Sequence, residues 1–263
     1  MKFIRFETKG EISYGTLDGK TVGRVAGSVF GEYTHTGGTY DLSEVKLLAP
    51  VVPPNIIAIG FNYRSHASES GAADPMRPVI FLKATTSVTA CGEVILLPEI
   101  APDEVDYEAE LCVVIGKTAK NVSEADALDY VFGYTCGNDV SARDCQLKFD
   151  SQWARGKSFD TFCPLGPYIE TEIRDPDNLE INCRVNGELM QESNTGDMLF
   201  PVKFLISYCS RNMTLLPGTV IMTGTPEGVG FARKPPVFLR DGDAVEVEIE
   251  SLGKLENFVK ACQ

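Results

Sequence analysis

Residues 105–116 read VDYEAELCVVIG, and this stretch sets the problem that the rest of the chain has to solve. Side chains alternate between faces along a strand, so Tyr107, Ala109, Leu111 and Val113 share one face while Asp106, Glu108 and Glu110 share the other. Glu108 and Glu110 then stand roughly 7 Å apart at Cα, close enough for their carboxylates to converge. Alternating acids ordinarily mark the solvated face of an edge strand. Here the continuation LCVVIG is apolar on both faces, as in a strand covered on both sides. Isolated ionised carboxylates are costly to bury, and a bound cation removes that cost.

A third hard ligand is available in GYTCGNDVSARDCQ (133–146), where Asp139 ends an apolar run, although Asn138-Asp139 also reads as plain turn chemistry. An oxygen-only set of Glu108, Glu110 and Asp139 suits Mg²⁺ or Mn²⁺, with Ca²⁺ as a stand-in, and leaves positions for water and a chelating substrate. Zinc would call for nitrogen or sulfur.

Working outward, the chain has 263 residues and 43% hydrophobic content, enough for a substantial core. Its 37 acidic against 24 basic residues give a net charge of -13, which repels phosphate backbones and argues against a nucleic-acid partner. The eight cysteines (91, 112, 136, 145, 163, 183, 209 and 262) include no C-x-x-C pair. They read as reduced, mostly buried thiols, and the expected location is cytoplasmic. No apolar run approaches the ~20 residues needed to cross a bilayer, so no membrane partner is expected.

From 1 to about 50 the pattern is short alternating runs with a hairpin turn at Leu17-Asp18-Gly19-Lys20, and Pro50, Pro53 and Pro54 stiffen the chain beyond it. A small N-terminal β-rich domain, 1–50, is expected to precede a catalytic domain, 51–263. Strand-like runs follow at 56–59, 79–82, 93–97, 110–115, 167–169, 180–185, 219–222 and 244–250. Helical spacing appears in SEADALDYVFGY (123–134), which opens on a capping box at Ser123 and Asp126, and in PVKFLISYCSRN (201–212). Strands dominate and βαβ alternation is missing. The fold class is α+β, mainly β: a mixed β-sandwich or roll with peripheral helices.

Of the two histidines, His35 lies in a polar, glycine-rich stretch and reads as a surface residue. His66 follows an apolar strand in GFNYRSHASESG (60–71), where a helix would place Glu69 on its face as a carboxylate partner for a general base; an exposed polar loop accounts for the spacing equally well. Lys157, in WARGKSFDTFCPLGP, lies among aromatics and could stabilise an oxyanion, or be a surface lysine with a buried stem. GKS at 156–158 and GKT at 116–118 lack the upstream glycine of a phosphate loop. MTGTPEGVGF (222–231) reads as a backbone-rich loop in which Thr225 could hold a substrate carboxylate, or as a tight turn.

Taken in order, GFNYRSHASE, PVIFLK, DYEAEL, NDVSARDCQ, GKSFDTFCPLGP, RVNGELMQ and TGTPEGVG resemble the fumarylacetoacetate hydrolase family from about 56 to 258. The resemblance implies a β-sandwich roll, usually a homodimer, with Mg²⁺ or Mn²⁺ on Glu108, Glu110 and Asp139. It further implies a His66–Glu69 general-base dyad on a mobile lid and Lys157 for oxyanion stabilisation. Substrate binding falls to Lys83, Arg143, Gln146 and Thr225, with Arg143 and Gln146 at the rim. Larger members carry a fourth acid upstream of the histidine; IIAIGFNY has none, so water or substrate completes the shell. The implied substrate is a small dicarbonyl or dicarboxylate. Hydrolysis of a C–C bond in an acylpyruvate-type 2-oxo acid is the first expectation. Oxaloacetate tautomerisation or decarboxylation, dienoate isomerisation or a ureidoglycolate lyase activity is the second, and a metal-dependent binding protein without activity the third.

Overall fold

The structure is a computed structural model and describes residues 1–262. Two mixed sheets pack face to face. In the larger, neighbouring strands run Tyr33–Asp41, Thr21–Gly27, Glu11–Asp18, Lys2–Thr8, Cys163–Glu170, Val131–Asn138, Ala109–Ile115, Val220–Met222, Ile56–Gly60 and Val79–Lys83. The smaller runs Glu188–Asn194, Glu180–Val185, Ala244–Ile249, Gly253–Ala261 and Val94–Leu97. Most pairs are antiparallel, but Ile56–Gly60 runs parallel to Val220–Met222, and Gly253–Ala261 to Val94–Leu97. The α+β, mainly β sandwich expected from the sequence is what forms.

Ala109–Ile115 is the central strand and is buried along its whole length. Leu111, Val113 and Ile115 face the core between the sheets, with Ile181, Val247 and Leu255 opposite. Cys112 and Val114 face a second cluster, with Phe3, Cys163 and Met222. Coverage on both sides explains the uninterrupted apolar run.

The hairpin at residues 17–20 is present, Asp18 pairing with Thr21 around Gly19. The strand Lys2–Thr8 then pairs with Cys163–Glu170, so residues of the N-terminal region extend the large sheet rather than build one of their own. The helix expected at 201–212 forms as Val202–Asn212. The one expected over 123–134 does not. Ser123 and Asp126 make their capping contacts, but only a single 3-10 turn, Ala127–Tyr130, follows before the chain extends into the strand Val131–Asn138. That strand is the partner of Ala109–Ile115, and sheet pairing outweighs a one-turn nucleus. All eight cysteines are free and six are buried. No helix among the described residues is long and apolar enough to cross a membrane.

The antiparallel pairing sets Ala109 opposite Asn138 and Glu110 opposite Gly137. Glu108 and Glu110, at the start of one strand, therefore meet Asp139 at the end of its neighbour. A Cβ on Gly137 would overlap Cys112 Sγ and lie 3.2 Å from Met222 Cε. Gly137→Ala is expected to destabilise the protein by about 1–3 kcal/mol through overpacking; an unchanged melting temperature would show that the sulfur-rich layer gives way freely.

Candidate active site

Glu108, Glu110 and Asp139 are all buried, and one oxygen of each lies within 4.8 Å of the others, so the three could together hold a metal ion. Backbone holds the cluster in place. Glu108 N–H donates to Asn138 Oδ1 at 2.9 Å, Asp139 N–H to the Glu108 carbonyl at 2.9 Å, and Gly224 N–H to Glu110 Oε2 at 2.8 Å.

Cations balance two of the three carboxylates. Lys157 Nζ reaches Glu108 Oε2 and Asp139 Oδ2, both at 2.7 Å, Lys83 Nζ donates to Asp139 Oδ1, and Arg143 Nη2 lies 2.7 Å from Glu108 Oε1. Burial by itself would raise the Glu108 carboxyl, but Lys157 and then Arg143 outweigh it and hold the group at about 2. Burial likewise opposes charge on Lys157, and the Asp139 and Glu108 carboxylates more than offset it, raising its pKa. Glu110 is different. No lysine or arginine among the described residues pairs with it, and burial together with the Asp139 and Glu108 charges pushes its carboxyl well above the ordinary range. A divalent cation among these oxygens would supply the missing partner, and an all-carboxylate donor set suits a hard ion.

Arg64–Glu69 is a short helix whose first turn is capped by Asp197, which accepts from Ser65 N–H at 3.1 Å and Ser65 Oγ–H at 2.7 Å. His66 Nδ1 lies 2.9 Å from Glu69 Oε1, and Gly228 N–H donates to both oxygens of Glu69, at 3.1 and 3.0 Å. The His66 ring is buried beside the carboxylate cluster and lines the same cleft, which holds about 430 Å³ of empty space including its open mouth.

Gln146, Thr225, Arg143 and Lys157 also line this cleft. Arg143, expected at the rim, is instead buried within the wall: its Nε donates to Asp106 Oδ2 at 2.9 Å and its Nη1 to Gln146 Oε1 at 2.8 Å. Lys83 is buried against Asp139 and Val140. His35 is exposed on the strand Tyr33–Asp41, as expected.

Several further residues build the site. Asp106 does not join the other two acids. It accepts backbone N–H bonds from Tyr107, Gly230 and Phe231 at 2.8, 2.7 and 3.0 Å and pairs with Arg143, tying the loop 223–230 to the carboxylate strand. Gln191 accepts from Ala109 N–H at 2.9 Å and donates from Nε2 to Thr225 Oγ1 at 2.8 Å. Phe61, Phe81, Trp153 and Phe231 give the cleft an aromatic side. Asp106 was visible as the first acid of the alternating series; the aromatics carried no local signal.

A two-sheet fold with a buried carboxylate trio beside a His66–Glu69 pair in one cleft is an arrangement of the class already suggested by the motifs. The chain belongs to the fumarylacetoacetate hydrolase family: the family model "Fumarylacetoacetate (FAA) hydrolase C-terminal" matches residues 55–260, and a second, "Rv2993c-like, N-terminal", matches 1–50. A mitochondrial oxaloacetate tautomerase of Xenopus laevis is 52% identical over 219 residues, covering 82% of this chain and 68% of the relative. The structure of a 5-carboxymethyl-2-hydroxymuconate delta-isomerase from Mycobacterium smegmatis superposes with TM-score 0.90 at 41% identity over 100% of both chains. That of a fumarylacetoacetate hydrolase from Exiguobacterium antarcticum gives TM-score 0.90 at 40% identity, again over 100% of both.

Glu110 keeps its proton to a higher pH in the folded chain than in the unfolded one, where its ordinary value is 4.5. The metal-free protein should therefore lose stability as pH rises from about 4.5 through the raised folded value. Glu110→Gln should flatten that loss, raise the metal-free melting temperature at neutral pH and abolish stabilisation by added Mg²⁺. Equal Mg²⁺ stabilisation of variant and wild type would show that Glu110 does not hold the ion.

Proposed function

We propose that the protein interconverts the keto and enol forms of a 2-oxo acid, with oxaloacetate the first substrate to test, and that Mg²⁺ or Mn²⁺ on Glu108, Glu110 and Asp139 assists. The observation that carries this reading is the buried His66 imidazole, held by Glu69 at the edge of the carboxylate trio. The names of the Xenopus and M. smegmatis relatives support it, since tautomerisation and double-bond isomerisation both move a proton without hydrolysis.

When bound, the divalent ion would draw electron density from a chelated keto acid and so acidify the neighbouring C–H. The protein's own groups do the rest. Glu69 accepts from Nδ1–H and leaves Nε2 as the nitrogen free to take a proton from carbon and return it to oxygen. The Glu69 carboxylate is itself fixed by Gly228 N–H, so the ring is held in orientation before substrate arrives. Lys157 offers positive charge where an oxyanion develops, and the Thr225 hydroxyl, oriented by Gln191, offers a hydrogen bond to a substrate carboxylate.

C–C hydrolysis is the second reading. The full-length likeness to the Exiguobacterium hydrolase favours it, and the same dyad would then direct water onto a distal carbonyl. Purified protein incubated with enol-oxaloacetate and with acetylpyruvate, each with and without Mg²⁺, separates the two: loss of enol absorbance from oxaloacetate with no pyruvate or CO₂ formed marks tautomerisation, and release of acetate with pyruvate from acetylpyruvate marks hydrolysis, whereas pyruvate with CO₂ from oxaloacetate marks decarboxylation. His66→Asn is expected to lower turnover about 10²–10⁴-fold, and Glu69→Gln less, with Mg²⁺ affinity retained in both. Wild-type turnover in His66→Asn would remove the dyad from the mechanism.

A further inference from the structure

The cleft has two unlike sides. On the polar side its two cations are already engaged: Lys157 with Glu108 and Asp139, Arg143 with Asp106, Glu108 and the Gln146 amide oxygen. Both are ion-paired within the wall, although Arg143 Nη2, 2.9 Å from Asp106 Oδ2 and 2.7 Å from Glu108 Oε1, makes no well-aligned hydrogen bond. Phe61, Phe81 and Trp153 also line the cleft, each half-buried, and Phe81 adjoins the polar wall, with Lys157 Nζ 5.3 Å from its ring centroid.

Trp153 meets Phe61 edge to face, with centroids 5.5 Å apart and planes at 76°, and meets Phe81 in the same way at 5.6 Å and 73°. The three rings form a corner, not a stack. Phe61 lies nearly parallel to the His66 imidazole, centroids 5.8 Å apart at 21°, so the corner adjoins the residue read as the base. Two backbone features hold it there. Phe61 has φ of 53°, a left-handed conformation that a bulky side chain rarely adopts and that persists where the surroundings over-determine it, as they do at ligand clamps. Gly60 lacks the Cβ that would overlap the Trp153 ring. Leu147, 53% exposed, continues the apolar side of the cleft.

We propose that this corner is a subsite for an uncharged, planar apolar arm, above all an aryl group, carried by a 2-oxo acid whose head lies at the carboxylate trio. The head rests on the 2-oxo acid reading given above; the arm rests on the aromatic corner and the backbone that holds it. An aryl arm entering the corner leaves water and gains edge contacts with the surrounding rings.

Oxamate and N-phenyloxamate, which chelate like a 2-oxo acid but cannot enolise, test this by calorimetry in excess Mg²⁺. Quenching of Trp153, the single tryptophan, reports the site. The wild type should bind the N-phenyl compound at least about 10-fold tighter, and Phe61→Ala and Trp153→Leu should each bring the ratio of the two affinities down to about 2 or less. Equal affinities in the wild type, or a ratio unchanged in both variants, would overturn the subsite. If Phe61→Ala fails to fold, Phe61→Leu, which keeps apolar bulk but loses the ring, serves with the same expectation. If neither oxamate binds, the 2-oxo acid head is wrong. Phenylacetate then probes the corner alone: quenching of Trp153 that is lost in the Phe61 variant sustains the subsite, and no quenching rejects it.

Discussion

Three carboxylates buried at one point are the constraint around which this protein is organised. Removing such a charge from water costs on the order of several kcal/mol per ion unless partners replace the solvent. Exposed pairs such as Arg64–Asp74 return at most about 1 kcal/mol each and cannot settle that cost. It is met locally, by Lys157 and Lys83 around Asp139, by Lys157 and Arg143 around Glu108, and by backbone N–H groups. The balance stops short at Glu110. Burial and its two acidic neighbours press that carboxyl toward its neutral form, so Glu110 is the member of the trio whose charge the protein itself does not match.

The sheet topology delivers these groups to one place. Antiparallel pairing brings the start of Ala109–Ile115 to the end of Val131–Asn138, and Val220–Met222, antiparallel to the former, ends at the same edge. Its continuation, TGTPEGVG, works mainly through main-chain donors: Gly224 on Glu110, Gly228 on Glu69, Gly230 on Asp106. One loop thus touches the carboxylate trio, the Arg64–Glu69 helix and the acid that anchors Arg143. A substitution that shifts it should be felt at all three, which makes its glycines structural joints of the site rather than spacers.

Much of the fold was legible because the strongest sequence signals and the strongest physical constraints coincide. Alternating acids at 108 and 110 would ordinarily mark a solvated edge, but the apolar run beside them pointed to a covered strand with a charged end, and that strand is what forms. The helix expected over 123–134 was misread because Ser123 and Asp126 do make capping contacts, yet residues 131–138 are needed as the central strand's partner, and pairing across the sheet lies beyond a local window. The strand Glu188–Asn194 left no apolar signal since one of its buried residues, Gln191, is polar and serves as a hydrogen-bond bridge. Asp106 was visible as an acid in phase with the others, but that it would bind backbone rather than join the trio follows from the return of residues 230–231, far away in sequence. Phe61, Phe81 and Trp153 come from separate segments, and nothing in any one of them announces the corner they form.

The two family models meet between residues 50 and 55, where prolines cluster, yet hydrogen bonds from Lys2–Thr8 to Cys163–Glu170 run straight across that junction. A seam in the sequence is therefore not a seam in the material. Any exchange of the first fifty residues for another module would have to reproduce the register Lys2 to Glu170 and Phe3 to Ile169, or leave a raw sheet margin open to pairing with other chains. Modularity here is constrained by edge-matching, as with a joined plank, and not by linker length.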